Sequence, residues 1–325
     1  MKRHRKVPFL HGAVDLHRMD IFLQQIINGL VQGSIYALVA LGYTMVYGIM
    51  GLINFAHGEV VMIGTLVTIT VASTLIEAGI PVALAGLGGL GSAVLVCMAL
   101  GWALERVAYR PLRDSPRLTP LITAIGMSIV LQNLAMIIWG RNYMTFPPLL
   151  PKVDFELAGA NFTLVQVAIV LISAATMSGL VFLVYRTKLG MAMRATAQSP
   201  QVASLMGVNI NRVISAAFVV GSALAAVAGI MIGSYYEIAH YQMGFMLGLK
   251  AFTAAVLGGI GNLAGAMAGG VLLGIIEALG AGYIGDLTGG FLGSHYQDIF
   301  AFIVLIVVLM FKPSGLFGEK TGERA

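Results

Sequence analysis

The chain has 325 residues, of which 58% are hydrophobic and only 10% charged, and its mean hydropathy is +0.90. Soluble domains carry roughly 25% charged residues, and here 26 of the 33 charges are bunched in residues 1–20, 105–117, 141–156, 186–212 and 312–324. A water-soluble surface cannot be built that way, so the chain is a polytopic membrane protein. The net charge of +5 does not indicate nucleic-acid binding: Lys2, Arg3, Arg5, Lys6 and Arg18 against Asp15 account for most of it, and no basic stripe remains for nucleic-acid readout.

Residues 1–18 read as a basic tail, either disordered or lying ahead of a true start at Met19. Residues 19–325 read as a single transmembrane domain, with loop 186–212 at its cytoplasmic side. The apolar run after the tail, 21–58, is 38 residues long. That is far beyond the 7–15 residues of a signal-peptide core, so it is expected to remain as an anchor. As one helix it would measure about 57 Å against a hydrocarbon core of roughly 30 Å. It also holds Gly42, Gly48, Gly51 and Asn54, poor residues for an unbroken helix. The expectation is therefore one turn within the run and two passes, or a pass plus a re-entrant piece.

Further uncharged runs at 60–76, 78–104, 118–140, 157–185, 213–236 and 251–276 are mostly long enough to span, since about 20 residues suffice. Lys and Arg favour cytoplasmic loops. Loop 105–117 holds four of them, 141–156 two, 186–212 four, 237–250 one and the C-terminal tail three, which reads in, out, in, out, in. Parity between these loops calls for an additional pass near the C-terminal end, where Gly258-Gly259-Ile260-Gly261-Asn262 breaks an apolar stretch. The fold expected is all-α and polytopic, with about eight hydrophobic segments, eight to ten passes, some broken helices and both termini cytoplasmic. Broken helices inside a bilayer are tolerated where protein or a water-filled cavity covers the freed backbone. The two breaks point either to a translocation pathway or to glycine-rich packing.

No segment suits an energy-consuming or metal site. The G-x-x-x-x-G-K-[ST] pattern is absent, and the formal G-x-G-x-x-A match at Gly259–Ala264 sits in an apolar run without a βαβ unit. The six histidines form no i,i+3 or i,i+4 pair, and Cys97 is the single cysteine, so no metal ligand set or internal disulfide is expected. Gly261, Gly265 and Gly269, with Gly270 and Gly274 beside them, make a small-xxx-small stripe for close helix approach, within the chain or toward another subunit.

Asn54, His57 and Glu59 bring an amide, an imidazole and a carboxylate together between two apolar runs. Unpaired burial would cost several kcal/mol, so they cap a break, face water, or contact substrate or a proton. With Gly258, Gly259, Gly261 and Asn262 they are the candidate pathway or helix-break residues. In loop 186–212, Ser199 suits an N-cap, Pro200 the first helical position, and Gly207 the left-handed closing residue. This predicts a two-turn helix over 200–206, serving either as a plain loop helix or as a docking element for a cytoplasmic partner.

Four blocks carry a family resemblance: Met19–Gly29 (MDIFLQQIING), Ile53–Glu59 (INFAHGE), Glu105–Arg113 (ERVAYRPLR) and Lys250–Gly261 (KAFTAAVLGGIG). In this order they resemble the permease subunits of bacterial branched-chain amino acid ABC importers, over about residues 19–318. The resemblance implies an inner-membrane protein that pairs with a second related permease, two cytoplasmic ATPase subunits and a periplasmic substrate-binding protein. ATP and Mg would be used in the ATPases, with no cofactor, metal or catalytic residue in this chain. It also implies that Arg194, Ser199, Pro200, Ala203, Gly207 and Asn209 belong to the ATPase-coupling loop, and that the cargo is leucine, isoleucine or valine. Similar permeases carry urea, short amides or other amino acids. An ion-coupled secondary transporter is the rival class and would draw on Glu59 or Glu277.

Overall fold

The computed structural model describes residues 9–113, 115–116, 118–157, 159–288 and 297–318. The chain is a helical bundle. The principal helices are α1 (Phe9–Met50), α2 (His57–Glu77), α3 (Val82–Leu104), α4 (Leu118–Trp139), α5 (Leu164–Arg186) and α8 (Ile210–Tyr236). They are joined by α9 (Met243–Gly258), α10 (Leu263–Leu287) and α11 (Gln297–Phe311), while α6 (Lys188–Gln198) and α7 (Pro200–Leu205) fill the loop before α8. Among the described residues, seven helices are long and apolar enough to cross a membrane, and two shorter apolar helices cover Met243–Gly258 and Phe302–Phe311.

Two end surfaces are distinguished by their charge. Arg113 donates to Asn211 beside the start of α8, and Arg194, Lys312 and the last turn of α1 line one concavity. Loop 105–117, loop 186–212 and the segment after α11 therefore share one end, here called the basic end. The opposite end carries two short antiparallel ribbons that an all-α reading does not anticipate. In one, β1 (Met144–Thr145) pairs with β4 (Ile238–Ala239); in the other, β2 (Asp154–Leu157) pairs with β3 (Ala160–Thr163). They lie in polar linkers, where water competes for backbone hydrogen bonds and leaves little signal in hydropathy.

The 21–58 run does not make two passes. Its membrane-spanning part, Asp20–Met50, is a single helix. In the bilayer interior an unpaired backbone group costs several kcal/mol, which outweighs the roughly 1 kcal/mol helix penalty of a glycine. Gly42 and Gly48 are therefore carried within the helix, which ends at Gly51 with φ +65°. One pass instead of two reverses the parity. Near its start, Gln24 is hydrogen-bonded to Asn161 at 2.8 and 2.9 Å, so the membrane part of α1 begins at the end opposite the basic one. The expectation that both termini share an end concerns residues 1–8 and 319–325, which lie outside the described residues. The expected tail boundary at residue 18 falls inside α1, and residues 1–8 lie outside the described residues.

Helices α1, α2 and α8 form the most enclosed part of the bundle, with Leu38, Leu41, Val60, Met62, Ala225 and Ala228 at its centre. Helices α3, α4, α5 and α11 present Leu87, Ile122, Ile137, Phe182 and Met310 outward, as lipid contact demands. Helices α1 and α10 meet backbone to backbone: a Cβ at Gly33 would meet Val271, and one at Gly270 would meet Ala37. Close approach of this kind replaces the hydrophobic driving force that lipid removes.

Candidate functional site

Loop 186–212 folds from its own local chemistry. The Thr187 hydroxyl accepts from the Gly190 N–H at 3.1 Å and starts α6. Ser199 both ends α6 and caps α7, its hydroxyl accepting from the Val202 N–H at 3.3 Å, with Pro200 in the first turn. At the other end Gly207 takes φ +84°. Its N–H donates to the Ser204 carbonyl at 3.0 Å, and Val208 donates to the Ala203 carbonyl at 3.0 Å. These two bonds make a Schellman closure. Asn209 then caps α8 through the Arg212 N–H at 3.1 Å. Ala203 is buried, whereas Leu205 and Met206 are 87% and 80% exposed. The helix therefore offers an apolar tip at the basic end. Arg194 stacks on Tyr185, 5.2 Å from the ring centre.

Asn54, His57 and Glu59 sit where α1 turns into α2, and each has a different role. The Tyr109 hydroxyl donates to Asn54 Oδ1 at 2.7 Å, and the Asn54 carbonyl accepts from the His57 N–H at 3.0 Å. Asn54 thus holds the turn against the π-helical segment Glu105–Tyr109 that follows α3. The His57 ring fills the space opposite Gly42 and meets Tyr43 edge-on at 5.0 Å. Glu59 is fully buried and reaches midway along α4. There Gln132 and Ser128 donate to its Oε1 at 2.7 and 2.9 Å. No Lys or Arg pairs with Glu59 among the described residues.

The second break, at 258–262, separates α9 from α10. Gly259 and Gly261 take φ of +110° and +93°, backbone that side chains resist. The carbonyls left open at the end of α9 are taken up by the segment after α11. Leu316 donates to Leu257 and Phe317 to Gly258, both at 2.9 Å. Asn262 accepts from the Gly265 N–H at 3.1 Å, capping α10, and donates to the Phe317 carbonyl at 3.0 Å. Gly265 and Gly269 face α9 at Gly258 and Ala254. Gly261 does not belong to that packing stripe: it lies in the break, outside α10, and a Cβ there would meet nothing within 4 Å.

A cavity of about 1560 Å³ opens at the basic end between these features. Tyr47–Gly51 from α1, Val184 and Tyr185 from α5, Arg194 from α6, and Ile260–Leu263 from the break line it. The coupling-loop candidates and the second break thus meet around one space. Sequence reasoning missed four participants: Tyr43, Phe252, whose ring lies 6.4 Å from that of Tyr43, and Ser128 and Gln132 of α4. Each lies in an apolar run, where nothing in the sequence marks its partner on another helix.

Glu59 and Glu277 are both fully buried. Glu277 Oε2 accepts from Tyr36 at 2.8 Å and from Lys250 at 3.1 Å, and Lys250 also pairs with Asp298 at 2.8 Å. This network ties α1, α9, α10 and α11 together. At the basic end Arg113 pairs with buried Glu105, which also accepts from Ser215 at 2.5 Å.

A family model described as a branched-chain amino acid transport system permease component matches residues 25–309. The high-affinity branched-chain amino acid transport system permease protein BraD of Pseudomonas aeruginosa is 45% identical over 308 residues, covering 93% of this chain and 98% of that protein. The corresponding LivH of Escherichia coli K12 is 45% identical over 308 residues, covering 93% and 97%. LivH of Salmonella typhimurium is 45% identical over 309 residues, with the same coverage. With helices long enough for multiple membrane crossings and a match of this extent, the chain belongs to the family of branched-chain amino acid transport system permease components.

Proposed function

We propose that the chain is the membrane-spanning permease subunit of an ATP-driven ABC importer carrying leucine, isoleucine and valine across the bacterial inner membrane. The observation that carries this reading is 45% identity to BraD and LivH permeases over 93% of the chain. The subunit performs no covalent chemistry. It supplies a path whose access changes sides as ATP is hydrolysed in partner subunits.

The basic end is assigned to the cytoplasm. Arg106, Arg110, Arg113, Arg186, Lys188, Arg194, Arg212 and Lys312 belong to it, against Arg141 and Lys152 at the other end. Such an excess marks the cytoplasmic side. Helix α7, with its exposed Leu205 and Met206, is then the element that seats on a cytoplasmic ATPase. Its two caps make it a short rigid body, so a push on its tip passes through Asn209 into α8 rather than being lost in a loop. A second related permease, two ATPase subunits and a periplasmic binding protein complete the assembly, with ATP and Mg bound in the ATPases.

Reconstitution of the full complex in proteoliposomes tests this reading. Uptake of radiolabelled leucine, isoleucine or valine is expected only with external binding protein and ATP inside. Uptake that survives ATP depletion and collapses with the proton gradient would replace it with ion-coupled transport. ATP-dependent uptake of urea or a short amide alone would keep the class and change the cargo.

A further inference from the structure

Around the start of α2 three buried side-chain atoms have no hydrogen-bond partner among the described residues: the Tyr43 hydroxyl, His57 Nε2 and Glu59 Oε2. Tyr43, His57 and Glu59 are 3%, 2% and 0% exposed. The Tyr43 ring meets His57, and Gly244 and Gly248 of α9, one turn apart, lie against Glu59 Oε2 and the Tyr43 hydroxyl. The first turn of α2 lacks a side-chain cap, its N-cap position being Ala56, so its N–H groups bring partial positive charge to the same place. A carboxyl oxygen and a hydroxyl are costly to bury without partners. A carboxyl group here, midway through the bundle and without a cation beside it, offers a place for a cationic group that arrives from outside the chain.

The lid over this shell is α9. Gly244 and Gly248 bring its backbone directly against Gly58 and Glu59; a Cβ at Gly248 would stand 2.9 Å from the Tyr43 hydroxyl. At 16 residues, about 24 Å, α9 is too short to span the membrane. It ends on the two positive-φ glycines of the second break. The cytoplasmic-end cavity comes close from below: Tyr47, one turn after Tyr43, and Val256, one turn after Phe252, both line it. Phe252 stands between, 6.4 Å from the Tyr43 ring and 5.5 Å from Phe55.

We propose that Tyr43, His57 and Glu59 form a station for the charged end of an α-amino acid in transit, with α9 as its lid and Phe252 as the plug toward the cytoplasmic cavity. The ammonium group pairs with the free oxygen of Glu59. The carboxylate takes the Tyr43 hydroxyl. The proposal rests on the reading that the chain carries amino acids, and it names the residues that hold them.

The test uses the reconstituted full complex and measures leucine moved per ATP hydrolysed in the presence of loaded binding protein. Glu59→Gln is expected to lower this ratio at least tenfold, and Glu59→Asp to recover part of it. A ratio equal to that of the parent protein in Glu59→Gln overturns the station, whatever the total rate, because a purely packing role alters assembly and not the ratio. Phe252→Ala provides a second arm if Glu59→Gln fails to assemble. A severalfold rise in ATP-independent leucine leak supports the plug, and an unchanged leak overturns it. Absence of ATP-dependent leucine, isoleucine and valine uptake in the parent complex would instead count against the importer reading itself.

Discussion

The His57 ring occupies the space that a side chain at position 42 would need, so Gly42 of α1 and His57 of α2 are fitted to each other. This contact sets the angle at which α2 leaves the turn, and with it the placement of Glu59 against α4. Gly42→Val is expected to destabilise the permease by about 1–3 kcal/mol, the usual range for overpacking. Thermal unfolding in detergent measures this loss. Pairing Gly42→Val with His57→Ala, which empties the space, is expected to return most of it. A double variant no more stable than Gly42→Val alone would show that the contact is not the source.

Helix α7 is expected to respond unequally at its two ends. Ser199→Ala removes one cap bond, worth about 1 kcal/mol, and coupling should weaken only modestly. Gly207→Val places a β-branched residue at φ +84°, with a backbone cost of about 1–2 kcal/mol and loss of the Schellman closure. Insertion in the membrane and pairing with the second permease should persist, while ATP-dependent uptake and stimulation of the ATPase by loaded binding protein fall together. Normal uptake with normal stimulation in Gly207→Val would remove the docking role of α7.

Lys250 holds two carboxylates, Glu277 and Asp298, across three helices. Lys250→Met leaves the fully buried Glu277 without its cation, and breaking such a pair from one side costs about 3–5 kcal/mol. The variant is expected to lose that much stability in detergent unfolding. Adding Glu277→Gln, which removes the stranded charge, should recover a large part. A single-variant loss below about 1 kcal/mol would mean the network is solvated in the working complex.

The single crossing of α1 is open to thiol labelling in a Cys97→Ala background. Met50 lines the cavity at the basic end, and Leu38 is fully buried. Met50→Cys is expected to react with a membrane-impermeant reagent from the cytoplasmic side only, and Leu38→Cys from neither side. Labelling of Met50→Cys from the periplasmic side would reverse the orientation assigned here.

Much of this molecule follows from composition and local pattern. Clustered charges and long uncharged runs determined a polytopic helical bundle, because hydrocarbon excludes charge wherever it lies along the chain. Ser199, Pro200 and Gly207 determined α7, since each acts on its own backbone within a few residues. The break at 258–262 was legible for the same local reason. Tertiary structure decided what depends on partners distant in sequence. It kept α1 whole through Gly42 and Gly48, because in a bilayer every backbone hydrogen bond must be kept and neighbouring backbones fill the glycine gaps. That one decision reversed the parity of the N-terminal half. It also brought Tyr43 from α1, Glu59 from α2, Ser128 and Gln132 from α4, and Phe252 from α9 around one point. Single polar groups in apolar runs carry no periodic signal, and only the folded bundle determines which of them meet.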